Sequence, residues 1–198
     1  MSALLVGYAR CSTDQQDLTA QRDGLLGLGV EAERIYVDHG LTVPLNLLCG
    51  QPPKSDFKWP CPVIPLAVNV VQYRPPTSHR CYMLGKAIKR AVESYPDDLK
   101  VVIFGTGGLS HQISGPRAGL INPEFDNDFL DKLIDRTQDL RAITRLEYLR
   151  ESGSEGIELI MWLIMRAALG YGVEELHRFY RVPASNTAVG HVVYEARS

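Results

Sequence analysis

The sequence predicts an α/β fold, a mixed sheet flanked by helices, on three observations. Short apolar runs bounded by glycine or proline recur along the chain, as strands do. Between them lie longer stretches whose apolar residues repeat at helical spacing. The two kinds alternate, which is the pattern of a sheet with helices packed on it. The 198 residues suit one domain, or one domain with an appendage. A chain of this size buries roughly 70% of its unfolded surface, enough for a real core.

The elements follow in order. LLVGYAR (4–10) is a short apolar run and reads as a first strand. Residues 15–29, with Leu18, Leu25, Leu26 and Leu28 before Gly29, read as a helix stopped by glycine. RIYVDHG (34–40) reads as a second strand, so the opening is β-α-β. The composition then shifts. CGQPPKSDFKWPCPVIP (49–65) carries Pro52, Pro53, Pro60, Pro62 and Pro65. Proline fixes φ and removes a donor, so this is a long irregular connection of the kind that marks a boundary or carries function. VIPLAVNVV (63–71) is strand-like, with Pro65 placing it at an edge or a strand start.

Residues 78–95 read as a helix with Ser78 as its cap, and KVVIFGTGG (100–108) as a buried strand running into glycines. Residues 124–136 and 138–151 are amphipathic helices. The stretch 152–170 is apolar nearly all round, the mark of a central buried helix. HRFYRVP (177–183) and VGHVVYE (189–195) close the chain as strands.

Composition narrows the function. Apolar content of 45%, charged content of 22% and a formal net charge of −2 are ordinary for a globular protein. That balance argues against a whole-chain nucleic-acid binder. The cysteines Cys11, Cys49, Cys61 and Cys81 form no CxxC pair, so a structural zinc site is a poor reading. The start MSALLVGYAR lacks the basic and apolar regions of a signal peptide. The most apolar stretch, 157–170, is interrupted by Glu158 and Arg166 and is too short for a membrane span. The expectation is a cytoplasmic protein with free thiols.

Four segments carry chemistry-bearing residues. In YARCSTDQQ (8–16), Arg10 and Ser12 suit a nucleophile poised against a phosphodiester, and equally a strand-end serine that caps the next helix. In GTGGLSHQISGPRAG (105–119), glycines lead to His111. A histidine there suits a general acid/base, and equally a loop residue bonded to carbonyls. In SGSEGIEL (152–159), Ser152 and Glu155 have capping-box spacing, while a carboxylate at a helix N-terminus also suits a cation. In VPASNTAVG (182–190), Ser185 and Asn186 suit either hydrogen bonds to a substrate carboxylate or a polar turn.

Two family resemblances run through these segments. GYARCSTDQQDLTAQRDGLLGLGVEAERIYVDHGLT (7–42) resembles the N-terminus of a serine recombinase of the resolvase/invertase family. It implies Ser12 as the DNA-attacking serine and Arg10 as its activator. The later arginines of that family and its helix-turn-helix are absent, and without those cations the charge of a phosphoryl-transfer transition state goes unstabilised. DNA is therefore not an expected partner.

From about residue 37 to 194, WPCPVIPLAVNVVQYRPPTSHRC, GTGGLSHQISGPRAGLIN, YLRESGSEGIELIMWLIMR and FYRVPASNTAVG are similar to the class III extradiol ring-cleavage dioxygenases. That is the family of protocatechuate 4,5-dioxygenase beta subunits and gallate dioxygenases. The resemblance implies Fe(II) as cofactor, a catecholic acid and O₂ as substrates, and an alpha subunit or further copies of the chain as protein partners. It assigns His111 as acid/base, Glu155 as the metal-ligating carboxylate, and His39, Ser185 and Asn186 as substrate-facing residues. VDHGLTVPL (37–45) is the string in which the two resemblances meet. The chain thus reads as a recombinase-like segment (1–42) joined to the C-terminal part of a dioxygenase domain (43–198). The family's iron takes two histidines and one carboxylate. Both histidines belong to the part that has no counterpart here, since His39 is the first histidine of the chain. The resemblance therefore implies an incomplete core and an impaired enzyme.

Overall fold

The computed structural model describes residues 7–9, 35–37, 39–50, 61–70, 74–183 and 186–197. The chain divides into two compact units, Met1–Ala67 and Val68–Ser198. The division falls just after the proline-rich connection.

In the first unit, β1 (Gly7–Ala9) and β2 (Ile35–Val37) pair in parallel, with Tyr8 opposite Tyr36. Parallel neighbours need a crossover connection, which agrees with a β-α-β opening. The expected helix at 15–29 lies outside the described residues, as do Arg10 and Ser12. His39 opens a helix, α1 (His39–Cys49), although the strand expected over 34–40 included it and no element was expected over 41–48. Pro44 lies inside it and removes one backbone donor from its ladder.

The second unit is built around one buried helix. In α2 (Ser78–Glu93) the buried residues Ser78, Cys81, Tyr82 and Gly85 form a single stripe. Its cap is Thr77, whose Oγ1 accepts from Arg80 N at 3.2 Å, and not Ser78. Ser78 Oγ instead donates to Ile143 O at 2.9 Å. The helix α3 (Pro123–Asp135) starts from Asn122, whose side chain accepts from Phe125 N, with proline in the first turn.

The expected single helix over 138–151 is two, α4 (Thr137–Ala142) and α5 (Arg145–Ser152). Ile143 is extended, and Thr144 caps the new start by accepting from Glu147 N. A threonine behind a β-branched residue favours such a break over helix continuation. The apolar stretch begins with a 3₁₀ turn, Gly156–Leu159, and becomes α6 (Ile160–Ala168). Every residue of α6 except Met161 is buried, as its all-round apolarity predicts.

Arg166 is buried in this apolar helix because carbonyls satisfy it. It donates to Leu133 O (2.6 Å) and Ile134 O (2.8 Å) in the last turn of α3, and to Gly170 O (2.7 Å) beyond its own helix. Such terminal carbonyls have no partner within their helix. Phe129 packs edge-on against Tyr148 and Trp162, with ring centroids 6.3 Å apart in both pairs.

β3 (Val173–Arg181) and β4 (Val189–Ala196) form an antiparallel hairpin with Phe179 opposite His191 and an irregularity at Glu175/His177. Helices and strands are thus mixed as the α/β class requires, and the described strands form one parallel and one antiparallel pair. The strands expected at 63–71 and 100–108 carry no ladder where described. Val101, Val102 and Phe104 are exposed. Their apolar run has strand composition, but a strand needs a neighbour to pair with. Among the described residues no helix is long and apolar enough to cross a membrane.

Candidate functional site

The glycine-rich turn delivers His111 into a pocket of backbone. His111 is only 6% exposed. Its N–H donates to Ser152 O at 2.8 Å, its carbonyl accepts from Gly156 N at 3.2 Å, and it forms an isolated antiparallel bridge with Thr187. The residues before it are sewn to the same segment, by Leu109 N to Ala188 O (3.3 Å) and Ala188 N to Ser110 O (3.1 Å). Two separate parts of the chain, residues 152–156 and 187–188, therefore hold the His111 loop.

The imidazole has a defined polarity. Nδ1 lies 2.7 Å from Leu109 O. A carbonyl only accepts, so Nδ1 carries the proton, and Nε2 of the neutral ring is left to accept one.

The glycines are explained by what lies against them. A Cβ on Gly108 would sit 2.7 Å from His111 Cε1, so the ring packs on bare backbone. Gly107 has φ +138°, and a Cβ there would sit 2.8 Å from Glu158 Cβ. Glu158 Oε2 accepts from Gly108 N at 3.1 Å, and Trp162 Nε1 donates to Gly107 O at 3.2 Å. Gly107 and Gly108 thus form the wall that Glu158 and His111 share.

Glu155 is not part of a capping box. Ser152 Oγ donates to Tyr148 O at 2.8 Å, back into α5. The Glu155 carboxylate reaches the other side of the His111 loop, where Oε2 accepts from Ile113 N (3.1 Å) and Ser154 Oγ (2.6 Å). Burial raises its pKa, but these two donors and the nearby His111 outweigh burial, and the net shift is downward. The group is held as a carboxylate.

The structure therefore brings together His111, Glu155 and the Asn186–Thr187 segment. Asn186 is exposed with φ +53°, one residue from the bridge to His111. Ser185 lies outside the described residues. His39 is placed only as the first residue of α1, in the other unit. Sequence reasoning missed two acids. Glu158 sits three residues after Glu155 and shares its segment, a spacing that offers a signal. Asp126, described below, has none, since it reads as one more acid in an amphipathic helix.

A family model for the catalytic LigB subunit of aromatic ring-opening dioxygenase matches residues 12–190. The chain belongs to the LigB family.

The match begins inside the segment that resembles a recombinase. Among curated relatives, this LigB-family chain is 46% identical to gallate dioxygenase from Pseudomonas putida over 161 residues, 81% of this chain and 46% of the relative. It is 28% identical to a 2,3-dihydroxyphenylpropionate/2,3-dihydroxicinnamic acid 1,2-dioxygenase 1 from Pseudomonas putida over 207 residues, covering 79% of this chain and 63% of the relative. A counterpart from Photorhabdus laumondii is 34% identical over 97 residues, 49% of this chain and 28% of the relative. The chain spans about half the length of the curated relatives it matches.

Enzymes of this family generally depend on iron, and the donors present can be tested against it. Among the described residues no three His, Cys, Asp or Glu side chains group to hold a metal ion. His111 offers Nε2 only, because Nδ1 is committed to Leu109 O. His79, His177 and His191 are exposed on α2, β3 and β4, and His191 lies against the Phe179 ring at 5.7 Å. The described donors do not fit a set of two imidazoles and a carboxylate.

Proposed function

We propose that this chain carries the acid/base side of an extradiol ring-opening site for a catecholic acid, gallate- or protocatechuate-like, and that alone it is impaired as an Fe(II) enzyme. The observation that carries the reading is the His111 geometry, a buried imidazole with Nδ1 fixed on Leu109 O and Nε2 free to exchange a proton with a substrate hydroxyl. The 46% identity to a gallate dioxygenase supports the substrate class.

Two carboxylates flank this histidine. Glu155 is the position that the family resemblance assigns to the metal. Glu158 is favoured by a contact of its own, since its Oε2 bonds the amide of Gly108, the residue on which the imidazole packs. In the same reading Asn186, with Ser185, orients the substrate's carboxylate. The recombinase-like start contributes no DNA strand exchange.

The test loads the purified chain with Fe(II) anaerobically, quantifies bound iron, and follows binding of gallate and protocatechuate by calorimetry and oxygen uptake by electrode. The expected result is binding of at least one acid, sub-stoichiometric iron, and oxygen uptake no higher than in His111→Gln. Stoichiometric iron with turnover abolished by Glu155→Gln or Glu158→Gln would overturn the impairment. Failure of both acids to bind would overturn the substrate class.

A further inference from the structure

We infer that Asp126 is a positioning residue for His111 and acts through the peptide that joins Leu109 to Ser110. The inference rests on the reading of His111 as the acid/base. Asp126 Oδ1 accepts from Ser110 N at 2.8 Å. That N–H belongs to the same peptide group as the Leu109 carbonyl, which accepts from His111 Nδ1 at 2.7 Å. In a trans peptide the N–H and C=O point in opposite directions. The carboxylate therefore grips one edge of the peptide plane and the imidazole the other. A charge on the N–H side polarises the peptide and strengthens the bond its carbonyl accepts. This is an aspartate–histidine pair with an amide between its members.

The surroundings of Asp126 fit that role. It has no exposed surface. Its other oxygen, Oδ2, accepts from Ser110 Oγ at 2.6 Å and Tyr180 Oη at 3.0 Å. Ser110 Oγ is itself the acceptor for Asn122 N at 2.8 Å, so its own proton is directed to Asp126. Three donors thus converge on a group that only accepts, which matches the ionised form. None of these bonds caps α3, whose cap is Asn122. A buried carboxylate is expensive to keep, and helix capping does not account for this one. What it fixes is the residue next to His111, through both the main chain and the side chain of Ser110.

The consequence is a locked tautomer. With the peptide fixed and polarised, the neutral ring keeps its proton on Nδ1 and presents a bare Nε2. The test uses the full chain, metal-free, labelled with ¹⁵N-histidine, with the His111 signals assigned by comparison with His111→Gln. Wild type is expected to show a single Nδ1–H tautomer at His111. In Asp126→Asn the ratio of Nδ1–H to Nε2–H forms should fall at least ~5-fold, because the charge behind the hydrogen bond is gone. Tyr180→Phe removes a donor but leaves the charge and the Ser110 contact, so its tautomer should stay as in wild type. A folded Asp126→Asn protein with an unchanged tautomer would overturn the inference, and so would a Tyr180→Phe protein that changes as much.

Should Asp126→Asn fail to fold, the wild-type chain supplies the measurement. The Asp126 carboxyl carbon is titrated, and the Ser110 amide and His111 Nδ1 should move with the same midpoint. No response at Nδ1 defeats the idea. None of these readouts needs iron or turnover, so they stand apart from the fate of the ring-opening reading.

Discussion

A carboxylate with no exposed surface makes the pH response of this chain depend on Asp126. Burial raises its pKa, hydrogen bonds from Ser110 and Tyr180 and the nearby His111 lower it, and the net shift is upward from 3.8. A raised folded-state pKa means that the group's contribution to stability is fully present below the unfolded value and is lost as pH rises through the folded one. As pH climbs past 3.8 the unfolded chain gives up this proton first, and the native state falls behind until Asp126 also ionises. Asparagine exchanges no proton there. The stability of wild type minus that of Asp126→Asn should therefore fall over this window and level off above it. Urea titrations at stepped pH check this, and a difference that grows with pH would contradict it. His111 stood out in the sequence through the glycines that lead to it and through the family resemblance, and the structure places it in a pocket of backbone. Asp126 was illegible because its partners, Ser110 and Tyr180, stand 16 and 54 residues away in the chain.

Elements with periodicity were readable, and elements that depend on a partner were not. α2 shows the first case, with Ser78, Cys81, Tyr82 and Gly85 on one helical stripe. α6 shows it too, its all-round apolarity announcing its burial. The ends were less legible, since Thr77 rather than Ser78 caps α2 and the break at Ile143 follows a local preference that a helical pattern hides. The second case is KVVIFG, where composition said strand but no neighbour pairs with it among the described residues. Gly85 gives the helix packing its sharpest test. A Cβ at this position would stand 2.2 Å from Ile164 O and 2.7 Å from Ala167 Cβ. Alanine gains about 1 kcal/mol of helix propensity over glycine. The contact is with backbone of α6, which cannot rotate aside, and overpacking of this kind typically costs about 1–3 kcal/mol or more. The second effect should win, so Gly85→Ala should lower the urea midpoint and the melting temperature. An unchanged or higher midpoint would show that α2 and α6 lie further apart than described.

At the scale of the whole chain, the apolar surface left uncovered decides its behaviour in solution. Leu99, Val101, Val102 and Phe104 are all more than 45% exposed, and they lie on the one segment that enters the glycine-rich turn. Ile64 and Leu66 of the first unit are exposed at 92% and 57%. Apart from Leu99, these residues come from the two runs that read as strands, a buried one at 100–108 and an edge one or strand start at 63–71. Both runs expose these residues, although apolar runs of this composition ordinarily lie under cover. Exposed apolar patches beyond a few hundred Å² promote association. The purified chain is therefore expected to associate at micromolar concentration and to bind a hydrophobic dye. The double substitution Val102→Lys with Phe104→Lys should reduce both, because a lysine at an exposed position adds charge to the apolar patch without disturbing the buried core. Sedimentation velocity and dye fluorescence on the two proteins check it. A wild-type preparation that is monomeric, dye-negative and sharp in its thermal transition would show that these residues are covered in solution, and that the chain supplies the cover from its own sequence.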